Sequence, residues 1–102
     1  MRVGFICSFG MSTYIVANMT VDAAKKRGLD IVMEAFPASE VASRINDFDL
    51  LLLGPQVRYK AAEIQVIAQK NAKKFAVIPS DVYGSMDGDR ILDFIIKLES
   101  DQ

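Results

Sequence analysis

Apolar residues along this chain gather in short runs separated by stretches of helical spacing, and the alternation continues from end to end. Val3, Gly4, Phe5 and Ile6 form the first run, short enough for a strand. A helix is predicted from about Ser12 or Thr13 to Arg27, with Ile15, Val16, Met19 and Ala23 on one face and Gly28 as its stop. Next, Leu29, Ile31, Met33 and Ala35 alternate with Asp30, Val32, Glu34 and Phe36, which suits a half-exposed strand near a sheet edge. Pro37 to Ser39 open a short helix in which Val41, Ile45 and the following Phe48 keep helical spacing. Leu50 to Leu53 is apolar throughout, as a strand covered on both faces requires, and Gly54-Pro55 ends it. The spacing of Ala61, Ile64, Ile67 and Ala68 predicts a helix from about Arg58 to Asn71, and Phe75 to Ile78 reads as a fourth strand. A last helix is expected from about Gly88 to Leu98, capped by Asp87 and burying Ile91, Leu92, Ile95 and Leu98.

Four strand-helix units with no linker, repeat or low-complexity segment make residues 1–102 a single α/β domain. The expected architecture is a three-layer sandwich around a four-stranded parallel sheet, because parallel strands need helical crossovers that cover both faces. The amphipathic second strand belongs at an edge and the apolar first and third in the middle. That gives the order 2-1-3-4, the flavodoxin-like winding shared with low-molecular-weight phosphatases. Its topological switch lies between strands one and three, and ligands of open α/β sheets bind at the carboxyl ends there. Cys7, the Gly54-Pro55-Gln56 loop and the Tyr83-Gly84 loop are therefore expected on one rim.

Composition sharpens this picture at one residue. The chain has a single cysteine and no histidine, which removes Cys-His and Ser-His dyads, His-containing zinc sites and any phosphohistidine on this chain. No metal and no cofactor is implied, and a lone cysteine forms no internal disulfide, in keeping with a reducing cytosol. Cys7 either closes a strand as a small buried hydrophobe or serves as a nucleophile. The segment Ser8, Phe9, Gly10, Met11, Ser12, Thr13 favours the second reading. It has no acidic group and ends in a Ser-Thr pair able to cap a helix. A thiol placed there faces backbone N–H groups without intrahelical partners and the positive end of a helix dipole, a setting that would hold the three oxygens of a phosphoryl group.

Charge and hydropathy exclude other classes. A net charge of −1, with no basic cluster beyond Lys25-Lys26-Arg27, argues against a nucleic-acid partner. No segment approaches the roughly 20 apolar residues of a membrane-spanning helix, and the apolar stretch after Arg2 is too short for a signal peptide. A flavin or nucleotide module is disfavoured by the lack of any G-x-x-x-x-G-K-[ST] or G-x-G-x-x-G pattern and of tryptophan.

Three motifs, Cys7-Ser8-Phe9-Gly10-Met11-Ser12-Thr13, Leu52-Leu53-Gly54-Pro55-Gln56-Val57 and Tyr83-Gly84-Ser85-Met86-Asp87-Gly88, resemble the IIB component of the bacterial sugar phosphotransferase system, in its lactose/cellobiose (chitobiose) branch. The resemblance covers nearly the whole chain. It implies a cytoplasmic phosphoryl carrier in which Cys7 takes a phosphoryl group from phosphohistidine of a IIA protein. The group then passes to a sugar entering through a membrane IIC protein, at whose inner face the carrier acts without inserting in the bilayer. Cys7 carries over as the phosphocysteine and Ser8 through Thr13 as the phosphate-binding loop. The chain departs from the pattern at Phe9, where a small residue is common, and at Pro79, where an aspartate is common. Both bear on sugar and partner identity rather than on the nucleophile.

A low-molecular-weight protein tyrosine phosphatase is the alternative. Its motif requires an arginine six residues after the cysteine to clamp phosphate bidentately, and here that position is Thr13. Asp81, near the fourth strand, is only superficially like the phosphatase acid. On the rim, Gln56, Arg58 and Tyr59 are expected either to contact the phosphoryl donor or a partner or to be an exposed loop leading into a helix, and Tyr83 either to cover the cysteine loop or to fill the rim.

Overall fold

The computed structural model describes residues 1–7 and 11–100, with the backbone alone for residues 11 and 12. Strands β1 (Arg2–Ile6), β2 (Val32–Phe36), β3 (Leu50–Leu53) and β4 (Lys74–Val77) are connected by helices α1 (Met11–Lys26), α2 (Val41–Arg44) and α3 (Ala61–Lys70). Two more helices, α4 (Ser80–Gly84) and α5 (Gly88–Ser100), follow β4. The strands are parallel and ordered β2-β1-β3-β4, as the burial pattern predicts.

Alternation along the two central strands sorts the core into two layers. Val3, Phe5, Leu50 and Leu52 pack with Val16, Ala17, Ala23 and Ala24 of α1 and with Ile91, Leu92 and Ile95 of α5. Ile6, Leu51 and Leu53 pack on the opposite face with Val41, Ile45 and Phe48 and with Ile64 and Ala68 of α3. Gly4 lies on this second face. A Cβ there would stand 2.9 Å from both Leu51 and Phe36, so glycine leaves room for the Phe36 and Phe48 rings, stacked 5.1 Å apart.

Several elements differ from the sequence expectation for tertiary reasons. Val16 and Ala23 of α1 are buried as expected, but Ile15 is 46% exposed, because the small residues Ala17, Thr20 and Ala24 complete the inward face. Small residues allow α5 to come close: a Cβ on Gly88 would collide with the Met19 carbonyl. Ser12 and Thr13 sit inside the first turn of α1, which starts at Met11, rather than capping it. β2 begins at Val32, and Phe36, expected on its polar face, is buried. Phe48 and the Arg44 guanidinium, 5.0 Å from the Phe36 ring centroid, cover it. The short helix after Pro37 is split into 3-10 turns at Ala38–Glu40 and Ile45–Asp47 around α2. The segment before α3 is 3-10 from Pro55 to Lys60, kinked at Val57, so α3 starts later than its apolar spacing suggests. β4 runs one residue earlier than expected, and α4 occupies part of what reads as a loop.

Candidate functional site

Cys7 is the first residue beyond β1 and is half-buried. The hydrogen-bond ladder runs past the strand ends on both sides of it. Cys7 N–H donates to Phe36 O (3.2 Å), Gly54 N–H to Ile6 O (2.9 Å) and Ile78 N–H to Leu53 O (2.9 Å). The thiol residue, the Gly54 turn and the chain leaving β4 therefore stand side by side on the carboxyl edge of the sheet. This is the β1/β3 switch point, where a doubly wound sheet leaves a crevice.

Four residues downstream of the thiol the backbone enters α1. The first N–H groups of a helix have no acceptor within it, and their dipoles align, so this 16-residue helix presents partial positive charge at the same edge. Thr13 is 3% exposed, which places its side chain beneath the edge rather than at the surface. Ser8, Phe9 and Gly10, and the side chains of Met11 and Ser12, lie outside the described residues.

The rim residues divide into two groups. Tyr83 is not on a loop: it belongs to α4, is 8% exposed, and meets Phe5 edge to face at 6.1 Å. Phe5 is two residues before Cys7, so the Tyr83 ring packs beneath the thiol end of β1. Gln56 follows Pro55 and folds back toward Gly54. By contrast, Arg58 and Tyr59 point into solvent from the 3-10 segment, Tyr59 being 76% exposed. Asp81 is at the start of α4, exposed, 3.5 Å from Arg90. The α4 helix gave no periodic signal because it has one turn. The fold-back of Gln56 had only Gly54 as a cue, since the empty space at that glycine is visible only in three dimensions.

Residues 2–94 match the family model for the PTS system, Lactose/Cellobiose specific IIB subunit. The chain belongs to that family. Over 95 residues this IIB chain is 30% identical to the galactose-specific EIIB component of Lactococcus lactis subsp. cremoris, with 88% of each covered. It is equally similar, again over 88% of each, to the cellobiose-specific EIIB component of Lactococcus lactis subsp. lactis. In three dimensions it matches the lactose-specific IIB domain of Streptococcus pneumoniae with a TM-score of 0.87 over 95% of each chain, at 18% identity, a likeness of fold. The IIB family belongs to a phosphotransferase system, and among the described residues no helix is long and apolar enough to cross a membrane.

Proposed function

We propose that this IIB chain is a phosphoryl carrier whose acceptor is Cys7. The observation that carries the reading is the placement of its single cysteine, at the carboxyl end of β1 and directly ahead of the α1 N-terminus, in a chain of this family. In the first step the Cys7 sulfur, having lost its proton, attacks the phosphorus of phosphohistidine on a IIA protein. The S–P bond forms and the P–N bond breaks. The imidazole nitrogen keeps the electron pair and takes up a proton. In the second step a sugar hydroxyl attacks the same phosphorus, its proton departs, and the S–P bond returns its electrons to sulfur.

Little else is asked of the protein. Phosphoryl transfer needs positioning and stabilisation of the equatorial oxygens, a role that this reading gives to the backbone N–H groups from Phe9 to Thr13 and the hydroxyls of Ser8, Ser12 and Thr13, without a metal. A loop whose sequence holds no lysine or arginine suits a carrier, which must release the group as readily as it takes it. Thr13, buried at the position where a phosphatase needs its clamping arginine, supports transfer over hydrolysis. A β-linked disaccharide such as cellobiose or chitobiose is the proposed cargo, a reading supported by the lactose/cellobiose family and the cellobiose-specific relative, and its proposed route is a membrane IIC protein reached at the cytoplasmic face.

The test is a relay from labelled phosphoenolpyruvate through the general phosphotransferases and a panel of IIA proteins. Label reaching this chain with one IIA protein, together with negligible turnover of p-nitrophenyl phosphate against a true low-molecular-weight phosphatase control, supports the carrier. Phosphatase turnover near that of the control, lost in Cys7→Ala, would overturn it.

A further inference from the structure

Gly54 adopts φ −65°, ψ 145°, which any residue can adopt, so backbone conformation does not require a glycine there. What glycine supplies is space. A Cβ at this position would lie 2.8 Å from Gln56 Oε1, and only then 3.5 Å from Phe5 Cε1 and 3.6 Å from Ile6 O. Among the described residues, the one close obstacle to a side chain at residue 54 is thus the tip of Gln56. Phe5 points to the α1 and α5 layer, so the Gln56 carboxamide reaches over the sheet end on that same face, beside the strand that carries Cys7. Among the described residues it has no hydrogen-bond partner, and Gln56 is exposed overall, which removes a packing role.

We propose that the Gln56 carboxamide, folded into the space left by Gly54, donates a hydrogen bond to the phosphoryl group carried on Cys7. This rests on the carrier reading above. A carboxamide offers two N–H donors and no charge, and its oxygen and nitrogen exchange by rotation about the last side-chain bond. A neutral donor steadies phosphoryl oxygens in transit without the electrostatic hold that a lysine or arginine would add.

Phosphoramidate, a small P–N donor, tests this without involving partner docking: Cys7 sulfur displaces ammonia from phosphorus, the nitrogen keeping its electron pair and gaining a proton. Wild type, Gln56→Ala, Gln56→Glu, Gly54→Ala and the Gly54→Ala/Gln56→Ala double variant are compared by the rate of phosphocysteine formation in intact-protein mass spectra. Their melting temperatures are measured alongside. Loss of one charge-assisted hydrogen bond is expected to slow Gln56→Ala by about tenfold or more, and Gln56→Glu further because its carboxylate repels the incoming group. Gly54→Ala, whose methyl displaces the carboxamide, should match Gln56→Ala, and the double variant should be no slower than either. Wild-type rates in both Gln56 variants, or additive losses in the double variant, would overturn the proposal while leaving the carrier reading intact. A wild-type chain that takes label on Cys7 from neither phosphoramidate nor the IIA relay would overturn both.

Discussion

Ala72 holds the left-handed backbone conformation (φ 55°) at the end of α3, as Gly28 (φ 72°) does at the end of α1. The hydrogen bonds match: Lys73 N–H donates to Ala68 O and Ala72 N–H to Gln69 O, as Leu29 N–H donates to Ala24 O and Gly28 N–H to Lys25 O. Left-handed geometry costs a residue with a Cβ about 1–2 kcal/mol, whereas glycine's extra freedom in the unfolded chain costs about 0.4–1 kcal/mol. Ala72→Gly should therefore stabilise the protein by about 0.5–1 kcal/mol, and Gly28→Ala, with open space around its methyl, should destabilise it by a similar amount. Urea unfolding of the two variants checks both signs. Elsewhere, Arg44 lies over Phe36 and Phe48 and pairs with Glu34. The hydrogen bond from Arg44 holds the Glu34 carboxyl below its ordinary range. A lowered folded-state value means that the pairing contributes fully above the ordinary glutamate pKa, about 4.3, and fades as pH falls through the lower value. Glu34 is half-exposed, so the contribution is small, well under about 1 kcal/mol. Glu34→Gln should melt slightly below wild type at pH 7 and together with it at pH 3, and an equal gap at both pH values would contradict the assignment.

Among the elements, α1 and α5 cross so closely that a glycine is needed between them. Gly88 begins α5 against the Met19 carbonyl, Asp87 Oδ1 accepts from Asp89 N–H (3.0 Å), and Arg27 donates to Asp89 and Asp93 of α5 at 2.9 and 2.8 Å. A methyl at Gly88 meets backbone rather than a movable side chain, so Gly88→Ala should cost about 1–3 kcal/mol, the range of core overpacking. Thermal denaturation reads this directly, and an unchanged melting temperature would mean that the helices separate freely. The same crossing explains what the hydropathy pattern conceals. Leu50 to Leu53 and the strand order were legible because burial on both faces leaves an unbroken apolar run. The inward face of α1 was legible only in part, at Val16 and Ala23, because close approach adds the small Ala17 and Ala24 and leaves the more hydrophobic Ile15 outside. Phe36 was assigned to a polar face because its cover comes from Phe48 and Arg44, distant in sequence. Asp87 was legible as a cap because its chemistry is local. At the site, the position of Cys7 followed from strand and helix boundaries alone. The helical setting of Tyr83 and the fold-back of Gln56 depend on contacts with Phe5 and on space at Gly54.

Over the whole molecule the two ends of the sheet are finished differently. At the amino edge, the Met1 ammonium donates to Asp30 O (2.7 Å), and Arg2 and Asp49 exchange two hydrogen bonds. Lys74 Nζ donates to the last carbonyls of α5, Leu98 O and Glu99 O. These contacts tie strand starts and helix ends together. The carboxyl edge instead brings Cys7, Gly54 and the chain leaving β4 alongside the N-terminus of α1, an arrangement suited to a transient anion. Holding a phosphoryl group at that edge needs only local hydrogen bonds, too little free energy to repack a sheet so anchored. Amide NMR shifts on phosphorylation should therefore concentrate at residues 8–14, with smaller effects near Gly54 and Tyr83, and shifts centred on α2 and α3 would place the anion elsewhere. The most direct measurement of the central claim is intact-protein and peptide mass spectrometry after the relay reaction, on wild type and Cys7→Ser. One phosphoryl group per chain on the peptide containing Cys7, absent from the folded serine variant, is the predicted result. Full phosphorylation of Cys7→Ser at any other residue would contradict the account.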